Sequence, residues 1–352
     1  MSIYRGVIRK YRQFLPEIEE ENIVTINEGN TPLVEAKNLS SFINPSLHIY
    51  LKYEGLNPTG SFKDRGMTLA VSMAKKQNSR AVICASTGNT SASAAAYAAS
   101  AGMKAYVIIP EGKIALGKLS QAIVHGAKVI QIKGNFDDAL KIVKEISDKY
   151  PVTLVNSLNP YRLEGQKTAA FEVCEQLSKV PDYHILPVGN AGNITAYWMG
   201  YKEYRLQDYI DKTPIMVGFQ ADGAAPIVRG YPIKNPETIA TAIRIGNPAS
   251  WKKAEQARDE SGGIIDMVSD KEILEAYKLI ASMEGVFCEP ASAASIAGLI
   301  KMNLRGYFKP DAFIVCTLTG HGLKDPNTAL KAFHEPIVVQ PSIEEVLKVM
   351  GL

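Results

Sequence analysis

The sequence predicts an α/β fold of two lobes, each a mostly parallel twisted sheet flanked by helices. Three observations lead there. From residue 80 onward, short β-branched runs alternate with helical patterns, and a second set of the same kind begins at Tyr183. Such alternation builds parallel sheets covered by helices on both faces. The chain has 352 residues, whereas a single core stops growing at roughly 250 to 300. No repeat, low-complexity tract or long linker interrupts the pattern.

In the first set, Ala81 to Cys84 reads as a strand, and the Ala/Ser-rich segment up to Ala101 as the helix after it. Ala105 to Ile109 is the next strand, followed by a helix near Lys118 to His125 and a strand from Lys128 to Ile132. Asp137 to Lys149 is a charged amphipathic helix, and Val152 to Val155 closes the set as a strand. The second set runs through a strand Tyr183 to Val188, a helix Ile194 to Leu206 and a strand Ile215 to Phe219. It ends with a helix near Asp270 to Met283, a small-residue helix after Pro290, and the strand Ala312 to Thr317. The expected division is a large cofactor-binding domain of residues 1–50 with 160–352, and a small mobile α/β domain of residues 51–159.

Charge and composition narrow the function. Thirty-nine basic residues stand against 36 acidic ones, a formal +3 with no basic block, which does not favour nucleic acid and leaves small molecules as the expected partners. The start Met1-Ser2-Ile3-Tyr4-Arg5 leads into charged residues rather than an apolar signal region, and no apolar run approaches the roughly 20 residues that span a bilayer. A cytoplasmic protein is expected. Cys84, Cys174, Cys288 and Cys316 are far apart, and Cys84 and Cys316 lie in strand-like apolar runs, as buried reduced thiols do. The five histidines form no metal-binding spacing, so no catalytic metal is expected.

Chemistry concentrates in loops that follow predicted strands, where open α/β sheets bind ligands. Lys63 sits in Asn57-Pro58-Thr59-Gly60-Ser61-Phe62-Lys63-Asp64-Arg65-Gly66. Pro58 and Gly60 turn the chain and Phe62 anchors it, as a lysine that forms a Schiff base with an aldehyde requires, so pyridoxal-phosphate chemistry is indicated. Gly189-Asn190-Ala191-Gly192-Asn193 follows a strand and opens a helix, a placement whose backbone N–H groups attract phosphate. It lacks the lysine of a nucleotide loop and so suits a single phosphomonoester; a plain tight turn is the alternative. Ser86-Thr87-Gly88-Asn89-Thr90-Ser91 has the same placement with hydroxyls and an amide. It could bind a carboxylate or phosphate, or only cap its helix. In Asn156-Ser157-Leu158-Asn159-Pro160-Tyr161-Arg162, Arg162 is the candidate bidentate anion partner, against the alternative of a solvated surface arginine. Thr317-Leu318-Thr319-Gly320-His321-Gly322 ends a strand; a hydroxyl there could bond a ring nitrogen, or the glycines could simply turn the chain. His321 reads as a loop residue.

Together these segments, with Asn30-Thr31-Pro32-Leu33, Glu289-Pro290-Ala291-Ser292 and Leu323-Lys324-Asp325, resemble the tryptophan-synthase-β-like superfamily of pyridoxal-phosphate enzymes, fold type II. Within it they are similar to the branch that converts O-phospho-L-homoserine and water to L-threonine and phosphate. The resemblance spans nearly the whole chain. It implies pyridoxal 5'-phosphate as cofactor, O-phospho-L-homoserine as substrate and a homodimer. It also implies that Lys63 binds the cofactor and shuttles protons, that Asn89 bonds the cofactor's phenolic oxygen, and that Gly189, Asn190, Ala191, Gly192 and Asn193 hold its phosphate. Thr319 would face the ring nitrogen, and Ser86, Thr87, Asn156, Ser157 and Arg162 would receive the substrate's carboxylate and phosphate. A serine/threonine dehydratase of the same superfamily is the nearest competitor; such enzymes carry a histidine where Thr90 follows Asn89, and Asp64-Arg65 also favours the first branch. A cysteine-synthase-like replacement enzyme and a non-catalytic binding protein are the remaining readings, the last opposed by the Lys63 segment.

Overall fold

The computed structural model describes residues 3–112, 116–333 and 336–352, so Met1 and Ser2 of the N-terminal stretch lie outside the described residues. Ten strands form among them: β1 (Leu33–Glu35), β2 (His48–Tyr53), β3 (Ala81–Ala85), β4 (Lys104–Pro110), β5 (Lys128–Ile132), β6 (Val152–Leu154), β7 (Tyr183–Pro187), β8 (Ile215–Ala221), β9 (Ile264–Val268) and β10 (Phe313–Leu318). They make two sheets. One has the order β5-β4-β3-β6 and is wholly parallel; the other runs β1-β2-β10-β7-β8-β9, with β1 antiparallel to β2 and every other pair parallel. The α/β class and the two lobes are therefore present, with each sheet covered by helices as parallel sheets require.

The strands expected from the sequence form within a residue or two. β1, β2 and β9 are additional, and β2 runs to Tyr53 inside the six-stranded sheet. Two long helices also lacked a sequence signature, Lys63–Lys76 and Pro160–Leu177. Both are buried around most of their circumference, so their apolar residues form no stripe at helical period to read. They pack together at glycines. A Cβ on Gly165 would lie 2.0 Å from the Arg65 carbonyl oxygen, and one on Gly66 would lie 2.5 Å from the Arg162 carbonyl oxygen. The small-residue helix Pro290–Leu304 lies against the six-stranded sheet in the same way, with Gly298 on the Phe219 ring.

A buried ionic cluster ties the N-terminal segment to these helices. Arg65 donates to Glu54 (2.6 and 2.8 Å) and to Glu172 (2.6 and 2.9 Å), and Lys52 donates to Glu172 at 3.0 Å and to the Thr31 carbonyl at 2.7 Å. Asn30 N–H also bonds Glu172, and Thr31 Oγ1 bonds Glu54, which gives the Asn30-Thr31-Pro32-Leu33 segment its physical role. The four cysteines are buried and reduced.

Candidate active site

Four loops leave the carboxyl ends of parallel strands and meet in the crevice between the sheets: Ser86–Thr90 after β3, Asn156–Asn159 after β6, Gly189–Asn193 after β7, and Thr319–Gly322 after β10. Contacts across the crevice hold them together. Asn190 Nδ2 donates to Ser157 Oγ, Asn89 Nδ2 donates to both oxygens of Glu289 (3.3 and 3.2 Å), and Lys324 Nζ donates to Gln121 Oε1.

Lys63 opens the helix Lys63–Lys76, and the residues before it are stitched to the end of β10. Phe62 N–H donates to the Thr319 carbonyl at 3.0 Å, and His321 N–H donates to the Gly60 carbonyl at 2.9 Å. Gly60, at φ 83°, makes the turn that brings these strands of chain together. Lys63 Nζ lies 4.3 Å from the centre of the Phe62 ring. Burial, and after it the Arg162 guanidinium, bring the Lys63 amine down to about 7 against the opposing pull of Glu289. An amine brought to neutral pH by desolvation and a neighbouring cation is a nucleophile and a proton carrier.

Arg162 is not a surface residue. It is 1% exposed, Nη1 donates to the Val155 carbonyl at 2.7 Å, and Nε has no partner in the protein. Burial lowers its pKa to about 10, so a bound anion here would compensate a desolvated charge. Ser86 and Thr87 are half-buried, and the helix Asn89–Ser100 has no side-chain cap; Ser86 Oγ accepts from the N–H of Gly88, the residue before that helix, at 3.3 Å. The Asn156 amide bonds both the N–H and the carbonyl of Ala85, each at 2.9 Å, holding the loops after β3 and β6 in register. Ser157 reaches Asn190, whose Oδ1 accepts from Ala249 N–H. Thr319 Oγ1 lies 3.1 Å from Ser292 Oγ and 3.4 Å from Glu289 Oε1. His321 caps the short turn Gly322–Lys324 and sits beside the Tyr53 and Phe287 rings, a loop residue as read.

Glu289 carries no role in the sequence reading, yet it is 4% exposed and touches both Asn89 and Thr319. Its only sequence signal is an acid immediately before the proline that starts a small-residue helix. Asp64, beside Lys63, is likewise buried and accepts from Thr59 N–H, Thr59 Oγ1 and Ser93 Oγ. It ties the lysine segment to the helix behind the Ser86 loop.

A family model described as pyridoxal-phosphate dependent enzyme matches residues 24–320. A threonine synthase of a Synechocystis strain is 57% identical over 99% of this chain and 91% of its own length. That of Halalkalibacterium halodurans is 59% identical over 98% and 97%, and that of Methanocaldococcus jannaschii 53% identical over 97% and 86%. The chain belongs to the threonine synthase family of pyridoxal-phosphate-dependent enzymes. Solved structures of the superfamily share its fold at lower identity. A maize serine racemase has a TM-score of 0.75 at 19% identity, covering 99% of this chain and 100% of its own. A tomato (Solanum lycopersicum) threonine deaminase has a TM-score of 0.75 at 21%, covering 94% of each.

The residues present fit the family's cofactor. Asn193, 8% exposed, has an Nδ2 with no protein partner, and it lies in the first turn of the helix Gly192–Leu206, where backbone N–H groups are free. Ala191 holds φ 63° before that helix, and a Cβ on Gly189 would come within 2.8 Å of Ile243 Cα. This is a turn at a helix N-terminus with an unpartnered buried donor in its first turn, a setting that suits a phosphate monoester. Among the described residues no cluster could hold a metal ion.

Proposed function

We propose that this chain is a threonine synthase, converting O-phospho-L-homoserine and water to L-threonine and phosphate. The observation that carries the reading is the placement of two groups at the starts of two packed helices: Lys63, an amine lowered to about 7, and Arg162, a buried guanidinium whose Nε has no protein acceptor. The relatives named threonine synthase at 53 to 59% identity support it.

In this reading Gly189, Asn190, Ala191, Gly192 and Asn193 hold the cofactor phosphate, Asn89 its phenolic oxygen and Thr319 its ring nitrogen. Pyridoxal phosphate, when bound, accepts the electron pair left as the substrate carbon loses its proton. Lys63 Nζ would hold the cofactor at its aldehyde carbon and, once displaced there by the substrate's amine, would carry protons to and from the substrate carbons. An amine lowered to about 7 needs no separate base to start. Ser86, Thr87, Asn156 and Ser157 orient the substrate's carboxylate and phosphate, and Arg162 takes the phosphate as it leaves. Keeping that phosphate bound allows it to assist water addition.

The expected boundary at residue 51 falls inside β2, whose residues up to Tyr53 pair within the six-stranded sheet, so the small lobe is drawn from after Tyr53 to 159; that division, with closure excluding water from the site, belongs to this proposal. The cross-crevice contacts of Asn89, Ser157 and Gln121 support it. A homodimer and a cytoplasmic location also belong to this proposal; among the described residues no helix is long and apolar enough to cross a membrane.

The test is an assay of purified protein with O-phosphohomoserine, following phosphate and identifying the amino acid formed, with Lys63→Ala as control. Stoichiometric phosphate and threonine, both lost in the variant, are the expected result. Formation of 2-oxobutyrate from threonine without phosphate release would move the chain to the dehydratase branch.

A further inference from the structure

We propose that Glu289 is a positioning residue for the bound cofactor: its buried carboxyl fixes the Asn89 amide from one lobe and the Thr319 hydroxyl from the other in the orientations the cofactor ring meets. The inference rests on the roles given above to Asn89 and Thr319.

The carboxyl is itself held. Glu289 N–H donates to the Gly320 carbonyl at 2.9 Å, and its oxygens lie so close over Gly320 that a Cβ there would be 2.5 Å from Oε1. Gly320 N–H donates to Ser292 Oγ at 3.0 Å, which places Ser292 3.1 Å from Thr319 Oγ1. The charged groups facing Glu289 are Lys63, at the start of its helix, and Lys324, in the turn after β10. Asn89 contributes the facing polar group from the helix after β3.

An amide NH2 carries two hydrogens, and a carboxylate can only accept. By taking one hydrogen of Asn89 Nδ2, Glu289 fixes which way that amide faces and leaves the second hydrogen for the cofactor's phenolic oxygen. Without it, the amide can turn its own oxygen toward that oxygen, and a donor becomes a repelling acceptor. Thr319 has one hydrogen and two lone pairs, and Glu289 and Ser292 between them decide where that hydrogen points. Reach and charge are thus separate contributions of one side chain.

Two variants separate them, both read on bound cofactor rather than on turnover. Glu289→Gln keeps an acceptor at the same reach and removes the negative charge. The pH midpoint of the bound cofactor's visible absorbance should fall by about one unit, because the protonated form loses its anion, while cofactor affinity stays within severalfold. Glu289→Asp keeps the charge and withdraws it by about 1.5 Å. Affinity should weaken about tenfold, the loss of one charge-assisted hydrogen bond, with the midpoint retained. A merely structural role would lower melting temperature and affinity in both variants and leave both midpoints in place; that pattern, or wild-type behaviour in both, overturns the proposal. If the protein binds cofactor but releases no phosphate from O-phosphohomoserine, the proposed function fails while this test still reads out.

Discussion

Lys63 owes its lowered pKa to its position rather than to a neighbouring base. Burial and then Arg162 bring its folded pKa to about 7, whereas an unfolded lysine titrates near ~10.4. Between those values the unfolded chain binds a proton the folded chain lacks, so this group makes stability rise with pH across that window, with no further change below it. Lys63→Met removes the term. Its apoprotein should therefore melt above the wild type by the largest margin near pH 7, with the margin shrinking toward pH 10; a pH-independent difference would contradict the assignment. Arg162 acts on the same amine from the neighbouring helix. Arg162→Ala should raise the Lys63 pKa, seen as slower labelling of the lysine by an amine reagent at pH 7. It should also slow phosphate release about 100-fold, as expected for one lost charged contact, while cofactor remains bound. Lys63, the Gly189 loop and the Ser86 loop were legible in the sequence because their chemistry is local, a few residues between strand and helix. Glu289 was not, because its meaning lies in Asn89, 200 positions away.

At the scale of elements, strands that follow one another with amphipathic helices between them could be read directly, as with β3 to β6 and the charged helix Phe136–Lys149. The helices Lys63–Lys76 and Pro160–Leu177 could not, because helices buried on nearly every side show no periodic stripe. β1, at three residues, is too short for a pattern. Yet that unread helix pair sets the site, since its crossing at Gly66 and Gly165 puts the first residue of one helix, Lys63, beside the first turn of the other, which carries Arg162. A methyl group at Gly165 would have to displace the Arg65 backbone. Gly165→Ala is therefore expected to cost about 3 kcal/mol, at the upper end for overpacking, and to weaken cofactor binding through a site it does not touch. A lowered urea midpoint together with a raised Lys63 pKa would show both effects; a lowered midpoint with an unchanged Lys63 pKa would mean that the crossing serves stability alone.

For the whole molecule, a buried charge network joins elements of the two lobes alongside their apolar cores. Lys52 comes from β2, Glu54 follows it, and Arg65 and Glu172 come from the paired helices, so one cluster spans the join between the lobes. Burial by itself would raise the Glu172 pKa, but Arg65 and Lys52 overcome it and hold the carboxyl far below the usual range. A carboxyl held low stabilises the fold above its unfolded pKa, near ~4.3, and that stability disappears as pH falls toward the folded value. Glu28, Asp64 and Glu289 act in the opposite sense, since burial raises all three and protonation relieves them as pH falls. The acid limb of the stability curve is thus a difference between two groups of carboxyls, and removing one member of the first group shifts the balance in a known direction. Glu172→Gln leaves Arg65 and Lys52 with too little negative charge in a dry interior and should cost about 3–5 kcal/mol at pH 7. Between pH 5 and pH 3 the variant should then lose less stability than the wild type, because the carboxylate whose ionised form supported the fold is already gone. Urea midpoints at pH 7, 5 and 3 for both proteins measure this; parallel acid limbs would mean that the cluster does not couple folding to protonation.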